Sequence, residues 1–376
     1  MATTASRKGN TAQLVLGSAE RLGLPILFVA LILIFAIHPD SRDAFLSKAN
    51  IDNILAGQSV TGIVALGMVI PLTAGYFDVS IPAIAGVANM ACTAAIVRHG
   101  QPVWVGMLVA LLIGVLLGVV NGVLVARLKL NALIVTLGGF TVLQGLLNQY
   151  SDGATITGVP DSLGNWGSLK WLGIPRPLWL LFVVGLILWY CLMHTPFGRQ
   201  YEAVGSSEGA ARLVGIRVER LVFLSFVLSG LTAAVAGILL TSRSGGADPT
   251  AGPSYLFPGL AAVFLGATTI RPGTYNVWGT ILGIFFVAVG INGFTLIGAK
   301  PWVNPVFDGA ALIAAVLVST VIGRRRTSHA IVVEPAQPDV SPMSIGRTSD
   351  SPTDRPADEP SEARPAKPAP TATRSQ

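Results

Sequence analysis

Long stretches without a charged residue divide most of the chain. Ten of them follow one another from Leu22 onwards, and the last is interrupted only by Asp308. A helix needs about 20 mainly apolar residues to cross the hydrocarbon core of a membrane, and each stretch is close to that length or longer. The stretches are 22–39, 53–77, 79–97, 99–126, 130–151, 177–198, 221–242, 249–270, 272–299 and 301–323. The pattern predicts an all-α polytopic membrane protein with about ten transmembrane helices.

The 249–270 stretch is the weakest of these predictions. It begins PTAGPSYLFP, and only Gly259–Ile270 is continuously apolar. Composition supports the class as a whole, because 52% of the residues are hydrophobic and 12% are charged, whereas a soluble domain carries about 25% charged residues. These proportions all but exclude a soluble enzyme.

The Lys and Arg residues between the predicted spans indicate their orientation. With a cytoplasmic N-terminus, thirteen of these residues fall inside and seven outside, as the positive-inside rule requires. The inside set is Arg7, Lys8, Arg21, Arg127, Lys129, Arg199, Arg212, Arg217, Arg220, Arg271, Arg324, Arg325 and Arg326; the outside set is Arg42, Lys48, Arg98, Lys170, Arg176, Arg243 and Lys300. An even number of spans then places both termini in the cytoplasm. The start of the chain lacks the pattern of a cleaved signal peptide, so we expect the first span to be retained.

Three regions follow from this reading. Residues 1–21 form a cytoplasmic N-terminal segment, residues 22–323 form the transmembrane domain, and residues 324–376 form a basic anchor followed by a cytoplasmic tail. The last fifty residues contain nine prolines, seven acidic and five basic residues. Such a segment buries too little apolar surface to offset the entropy of ordering, so it is predicted to be disordered.

Several kinds of chemistry have no support in the sequence. The chain has no GxxxxGK[ST] pattern, so it is not expected to bind ATP through a phosphate loop. Its four histidines have no metal-ligand spacing, and Cys92 and Cys191 lie within apolar stretches. The net charge is +6, but no basic run is long enough to indicate nucleic-acid binding. We therefore expect a non-catalytic membrane protein without a metal or cofactor of its own, and any ATP must be hydrolysed by another protein.

Polar residues within the apolar stretches are candidates for a transport path, because they are costly in lipid. The residues of interest are Asp78, Asn121, Thr136, Asn292 and Asp308. Asp78 either lines a wet cavity at membrane depth or is a solvated residue in a short cytoplasmic turn. Asp308 is either a carboxylate near the outer surface with a structural partner or part of the path. Small residues at helical spacing, including Gly114, Gly118 and Ser229, predict close helix packing or sliding surfaces.

The longest predicted cytoplasmic loop spans residues 195–220. Ser206 is a suitable N-cap, Glu208 lies in the first turn, and Gly215 is a suitable C-terminal cap. These features predict a two-turn helix. An isolated helix of this length is marginal in water, so either the bundle or a partner protein must hold it. On these grounds alone, the loop either lies on the lipid surface or docks a partner.

Several spaced motifs together resemble the permease subunits of ribose-type ABC sugar importers. They are VNGVLVARLKLNALIVTLGGFTVLQGL, FGRQYEAVGSSEGAARLVGI, LSGLTAAVAGILLTSR, PTAG at 249–252, LAAVFLGAT and GINGFTLIG. The resemblance runs from about Ile54 to Val321. The chain departs from the family at AGYFDVSIP, where members usually read GGIDLSVGS; it keeps Gly75, Asp78 and Ser80.

The resemblance implies a function and a set of partners. The chain would form the translocation path for a sugar or polyol in the bacterial inner membrane, together with an identical or different second permease. Cytoplasmic ATPase subunits would bind ATP-Mg, and an external binding protein would deliver the solute. In the 195–220 loop, the resemblance implies a coupling helix that contacts the ATPase and includes Gly205, Ser206, Glu208, Ala210, Ala211, Arg212 and Gly215. The alternative is a secondary carrier or channel that uses Asp78 or Asp308.

Overall fold

The computed structural model describes residues 22–330, with side chains through residue 318. The described part is almost entirely helical. Its α-helices are α1 (Leu22–Ile37), α2 (Arg42–Phe45), α3 (Lys48–Thr73), α4 (Ile81–Val97), α5 (Val103–Gly122), α6 (Ala132–Ser151), α7 (Asp161–Ser168), α8 (Arg176–His194), α9 (Pro196–Ser206), α10 (Glu208–Leu213), α11 (Val218–Ser244), α12 (Leu256–Gly266), α13 (Val277–Leu296) and α14 (Val303–Ala330). A π-helical segment, Val123–Arg127, extends α5, and a 3₁₀ turn, Gly252–Tyr255, precedes α12.

Six of the described helices are long and apolar enough to cross a membrane. They are α3, α5 with its π-helical extension, α6, α8, α11 and α13. Four shorter apolar segments lie at Leu22–Ile37, Ile81–Val97, Gly252–Gly266 and Val303–Val318; the last is the part of α14 whose side chains are described. Each charge-free stretch of the sequence overlaps one of these elements, which confirms a polytopic helical protein. The total of ten spans stays a prediction, because Leu22–Ile37, Ile81–Val97 and Gly252–Gly266 have fewer than 18 residues.

The centre of the bundle is formed by α3 and α11. The small residues on α5 allow its backbone to approach α11 closely. A Cβ atom at Gly114 would lie 2.5 Å from the Gly230 carbonyl oxygen, and one at Gly118 would lie 2.5 Å from the Phe226 carbonyl oxygen. Real Cβ atoms do not approach so closely, so these positions require glycine. The predicted packing face of α5 is therefore confirmed.

Two pairs of short strands interrupt the helical pattern. Strand β1 (Ile156–Thr157) pairs antiparallel with β4 (Gly246–Ala247), with Ile156 opposite Ala247. Strand β2 (Lys170–Trp171) pairs antiparallel with β3 (Ile174–Pro175). The first pair fastens the chain after α6 to the end of α11. The second forms a hairpin just before α8.

Two sequence predictions fall wholly or partly outside the described residues. The N-terminal segment 1–21 and most of the predicted tail, from Ile331 onwards, are among the residues not described. Within the described part, α14 continues through Arg324–Arg326 to Ala330. The basic anchor is thus helical in its backbone.

Candidate functional site

The segment between α3 and α4 holds a buried carboxylate. Helix α3 ends at Thr73, and Gly75 turns the chain with a φ of +85°. Asp78 follows and is only 3% exposed. Its Oδ1 accepts hydrogen bonds from the backbone nitrogen of Ser80 at 3.0 Å and from Ser80 Oγ at 2.5 Å. Its Oδ2 accepts one from Ser229 Oγ at 2.8 Å. Three donors thus compensate for the burial of this carboxylate.

Two more predicted path residues join this group. Asn121, near the end of α5, donates from Nδ2 to Ser80 Oγ at 2.8 Å. Thr136, in the second turn of α6, accepts through Oγ1 from the backbone nitrogen of Val79 at 3.2 Å. Hydrogen bonds therefore join the α3–α4 segment to α5, α6 and α11. We call these five side chains the Asp78 cluster: Asp78, Ser80, Asn121, Thr136 and Ser229.

The cluster corrects one interpretation of the sequence. The alternative of a solvated Asp78 in an exposed turn is wrong, because the carboxylate is buried and hydrogen-bonded on both oxygens. From its spacing in the sequence, Ser229 is predicted only to lie on a packing face of α11. Its hydroxyl reaches Asp78, and spacing alone cannot distinguish a serine that packs from one that also donates a hydrogen bond.

The other two predicted path residues lie apart from the cluster. Asn292, near the end of α13, exchanges two hydrogen bonds of 2.9 Å with Asn50 in the first turn of α3. Since Asn50 precedes Thr73 by 23 positions along α3, this pair lies about 35 Å from the cluster end of that helix. Asp308 of α14 is 8% exposed, and its Oδ1 has no hydrogen-bond partner among the described residues. The structure therefore divides the predicted path residues into separate sites.

The 195–220 loop forms two helices, α9 and α10, near the same end of the bundle as the Asp78 cluster. The predicted N-cap is wrong by one position: Ser206 ends α9, whereas the Ser207 hydroxyl accepts from the backbone nitrogen of Ala210 at 3.3 Å. The predicted turn after the helix is confirmed, since Gly215 has a φ of +83°. Helix α10 has six residues, fewer than the two full turns expected.

Close contacts fix both helices to the bundle. A Cβ atom at Gly205 would lie 2.2 Å from the Thr73 carbonyl oxygen, so α9 rests directly on the end of α3. Tyr201 of α9 donates from its hydroxyl to the Leu221 carbonyl oxygen at 2.8 Å. Ala211 of α10 is only 3% exposed. All of the predicted coupling residues except Ala211 remain exposed, namely Gly205, Ser206, Glu208, Ala210, Arg212 and Gly215.

Charged side chains connect α10 to its surroundings. Glu208 pairs with Arg212 at 2.7 Å and accepts a hydrogen bond from the Tyr76 hydroxyl at 3.0 Å. Arg212 and Lys129 each approach Glu219 at 3.7 Å. Hydrogen bonding to Arg212 lowers the pKa of Glu208. Burial, together with the nearby Glu208, raises the pKa of Tyr76 to about 12, so its hydroxyl remains a hydrogen-bond donor.

These charged residues surround a cavity of about 190 Å³ between α10 and the bundle. Beyond the cavity, α10 ends in an apolar tip. Leu213 is 90% exposed and Val214 is 76% exposed. A short helix held at its base and apolar at its tip is suited to contact a partner protein. This feature was missed in the sequence; the only signal for it was the pair of large apolar residues between Arg212 and Gly215.

Comparison with known proteins identifies the class. Residues 50–316 match the family described as the permease component of branched-chain amino acid transport systems. The ribose import permease protein RbsC of Bacillus subtilis (strain 168) is 36% identical over 305 residues, which cover 80% of this chain and 93% of the relative. The L-arabinose transport system permease protein AraH of Escherichia coli (strain K12) is 34% identical over 298 residues, covering 79% and 90%. The autoinducer 2 import system permease protein LsrC of Photorhabdus laumondii is 30% identical over 289 residues, covering 77% and 86%. No solved structure was found to match the chain.

The chain therefore belongs to this family of import permeases. Family membership and the spanning-length helices place it in the bacterial inner membrane as a multi-pass protein. The relatives are transport subunits, which fits a non-catalytic membrane component. They do not support the alternative of a secondary carrier or channel based on Asp78 or Asp308.

Proposed function

We propose that this chain forms half of the translocation path of an ATP-driven importer for a sugar or polyol. An external binding protein delivers the solute, a second permease copy or a related chain completes the path, and two cytoplasmic ATPase subunits bind ATP-Mg. The observation that carries this proposal is the apolar tip of α10, Leu213 and Val214, on a helix anchored to the bundle. The ribose, arabinose and autoinducer 2 permeases among its relatives support the solute class.

The proposal includes an orientation. Ten spans with both termini in the cytoplasm place α9 and α10 on the cytoplasmic side, where the ATPase subunits lie. The excess of Lys and Arg in the segments on that side supports this arrangement. The Asp78 cluster then lies near the cytoplasmic end of the path, and the Asn50–Asn292 pair lies near the external end.

The proposed path residues differ in the structural observations that support them. Asp78, Asn121 and Thr136 belong to one polar cluster that joins four segments. Hydroxyl, amide and carboxylate groups match the hydroxyls of a sugar without forming a deep apolar pocket. Asn292, which is paired with Asn50, and Asp308 lie outside the cluster and do not share this support.

Co-purification with the ATPase tests the docking role of α10. The ATPase, the binding protein and this chain are produced together, and the Leu213→Asp/Val214→Asp double variant is compared with the unaltered chain. A carboxylate at each tip position disfavours burial in an apolar interface, so we expect at least a tenfold loss of co-purified ATPase, roughly 1.4 kcal/mol or more.

The matched control places the same charge at another exposed apolar position. Leu172, between β2 and β3, is 78% exposed, and Leu172→Asp should leave ATPase recovery unchanged. Equal recovery with the tip variant and the unaltered chain would refute docking through α10. Absence of ATPase-dependent sugar or polyol uptake by the complete unaltered complex would refute the proposed function itself.

A further inference from the structure

Tyr76 connects the two groups of residues described above. Its hydroxyl donates to Glu208 of α10 at 3.0 Å. Along the chain it precedes Asp78 by two positions, in the short non-helical segment between α3 and α4. Tyr76 is thus bonded to the proposed ATPase-docking helix and covalently continuous with the buried polar cluster.

We propose that Tyr76 is a positioning residue that transmits movement of α10 to the Asp78 cluster. This inference rests on the proposed function, since it requires α10 to move with a docked ATPase. The hydroxyl bond to Glu208 makes the Tyr76 backbone follow α10. The backbone in turn carries Asp78, whose two oxygens engage Ser80 and Ser229.

The ring of Tyr76 is held firmly enough to act in this way. It packs against a small apolar cluster that includes Ala126 of the π-helical segment, Ala211 of α10 and Val222 of α11. An aromatic side chain has few rotatable bonds, so displacement of its hydroxyl moves the ring and backbone together. The 190 Å³ cavity beside Tyr76 and Glu208 leaves α10 space to shift relative to the bundle.

Helix α5, which Asn121 joins to the Asp78 cluster, is irregular close to that residue. Asn121, which donates to Ser80, is followed by Gly122 and then by the π-helical segment Val123–Arg127. Single π-helical turns within helices occur frequently at functional sites, where the backbone departs from α-helical hydrogen bonding. A shift of Ser80 would therefore reach α5 close to a segment that is already irregular.

The Tyr76 bond is not needed to form α10 itself. The N-cap bond from Ser207 and the Glu208–Arg212 ion pair, four positions apart, both lie within the helix or at its start. Loss of the Tyr76 hydroxyl therefore leaves the local stabilisation of α10 in place. This separation allows a transmitting role to be distinguished from a structural one.

The test measures coupling in the complete complex of permease, ATPase and binding protein. The complex is reconstituted in vesicles, and the loaded binding protein is placed on the side that the external face of the permease meets. The quantity measured is the solute taken up per ATP hydrolysed. A hydrogen bond of this kind contributes modestly, so Tyr76→Phe should lower the uptake-to-hydrolysis ratio about three- to tenfold. Tyr150→Phe, which removes a hydroxyl near the end of α6, is the matched control and should leave the ratio unchanged.

A double-variant comparison separates transmission from general damage. If Tyr76 acts through Glu208, Tyr76→Phe should have no further effect on the ratio in a Glu208→Ala background. Independent, additive losses would overturn the inference, as would an unchanged ratio in Tyr76→Phe. Because Tyr76→Phe keeps the packed ring, its recovery should equal that of the unaltered complex. If uptake and hydrolysis fall together in proportion to a lower recovery, their ratio is unchanged and the inference is overturned. An unaltered complex without ATP-dependent uptake would instead refute the proposed function.

Discussion

Two polar groups at opposite ends of α3 differ in what they join. At the start of the helix, Asn50 and Asn292 exchange two hydrogen bonds and connect only α3 with α13. Beyond its end, the Asp78 cluster connects the α3–α4 segment with α5, α6 and α11. Each asparagine of the pair supplies the hydrogen-bond partner of the other. The cluster depends on residues from four parts of the bundle keeping their relative positions.

This difference shows that a polar residue within an apolar stretch has no single meaning. A self-complementary amide pair can hold two helices together without any role in transport. A buried carboxylate whose partners come from several segments changes its bonding whenever one segment moves. The number of segments that a polar group joins therefore indicates a conformational role better than its burial does.

Removing the carboxylate should have the largest effect. Asp78→Ala leaves the hydroxyl and the backbone nitrogen of Ser80 without their acceptor, whereas the Ser229 hydroxyl keeps the Phe226 carbonyl oxygen at 2.9 Å. The cost in stability should be about 3 kcal/mol. We expect at least a tenfold fall in uptake and a lower melting temperature of the purified complex. Asp78→Asn, which keeps one acceptor oxygen, should be intermediate. Wild-type uptake with Asp78→Ala would contradict a conformational role for the cluster.

A change at Asn121 should be smaller and more specific. Asn121→Leu removes the bond to Ser80 but keeps the carboxylate and its three donors. Maximal uptake should fall about three- to tenfold, with little change in apparent affinity, because loss of a path group raises the translocation barrier and capture belongs to the binding protein. Titration of uptake against solute concentration measures both quantities. A large loss of affinity at unchanged maximal uptake would place a selective site in the membrane domain.

The asparagine pair should be nearly dispensable when both members are replaced. Asn292→Leu alone leaves the Asn50 amide without its partner, which costs about 1–3 kcal/mol if the site stays dry. The Asn50→Leu/Asn292→Leu double variant should recover most of that stability and keep uptake within about twofold of the unaltered chain, since two apolar groups leave no unpaired amide. Thermal unfolding and uptake of both variants check this. Severe loss of transport in a stable double variant would show that the pair belongs to the path.

The smallest expected effect concerns pH and α10. Because Arg212 holds the pKa of Glu208 below its ordinary value of 4.5, the contribution of the ionised carboxylate is complete above about 4.5 and is lost as pH falls through the lowered pKa. Hydrogen exchange of the α10 amides, corrected for intrinsic pH effects, should therefore accelerate only below about pH 4.5. In Glu208→Gln this acid-dependent step should be absent. A step at neutral pH would indicate another titrating group.

The sequence predicts the membrane spans better than it predicts the contacts within the sites. Charge-free stretches identified every long apolar helix, because a charge in hydrocarbon is costly whatever the fold. The N-cap of α10 was predicted one residue too early, since Ser206 and Ser207 are equally good caps in sequence. Tyr76 was not selected because its role depends on Glu208, which lies 132 positions away.

The sequence by itself determined the membrane class, the helical stretches, the family and the polar residues of interest. The membrane class, the helical stretches and the polar residues follow from local composition or from spacing within one segment, whereas the family rests on the resemblance of several motifs along the chain. The tertiary structure decided which polar residues meet: Asp78 with Asn121 and Ser229, but Asn292 with Asn50. Hydrogen bonds act over about 3 Å, and only the packing of glycine-faced helices brings residues so distant in the chain within that range.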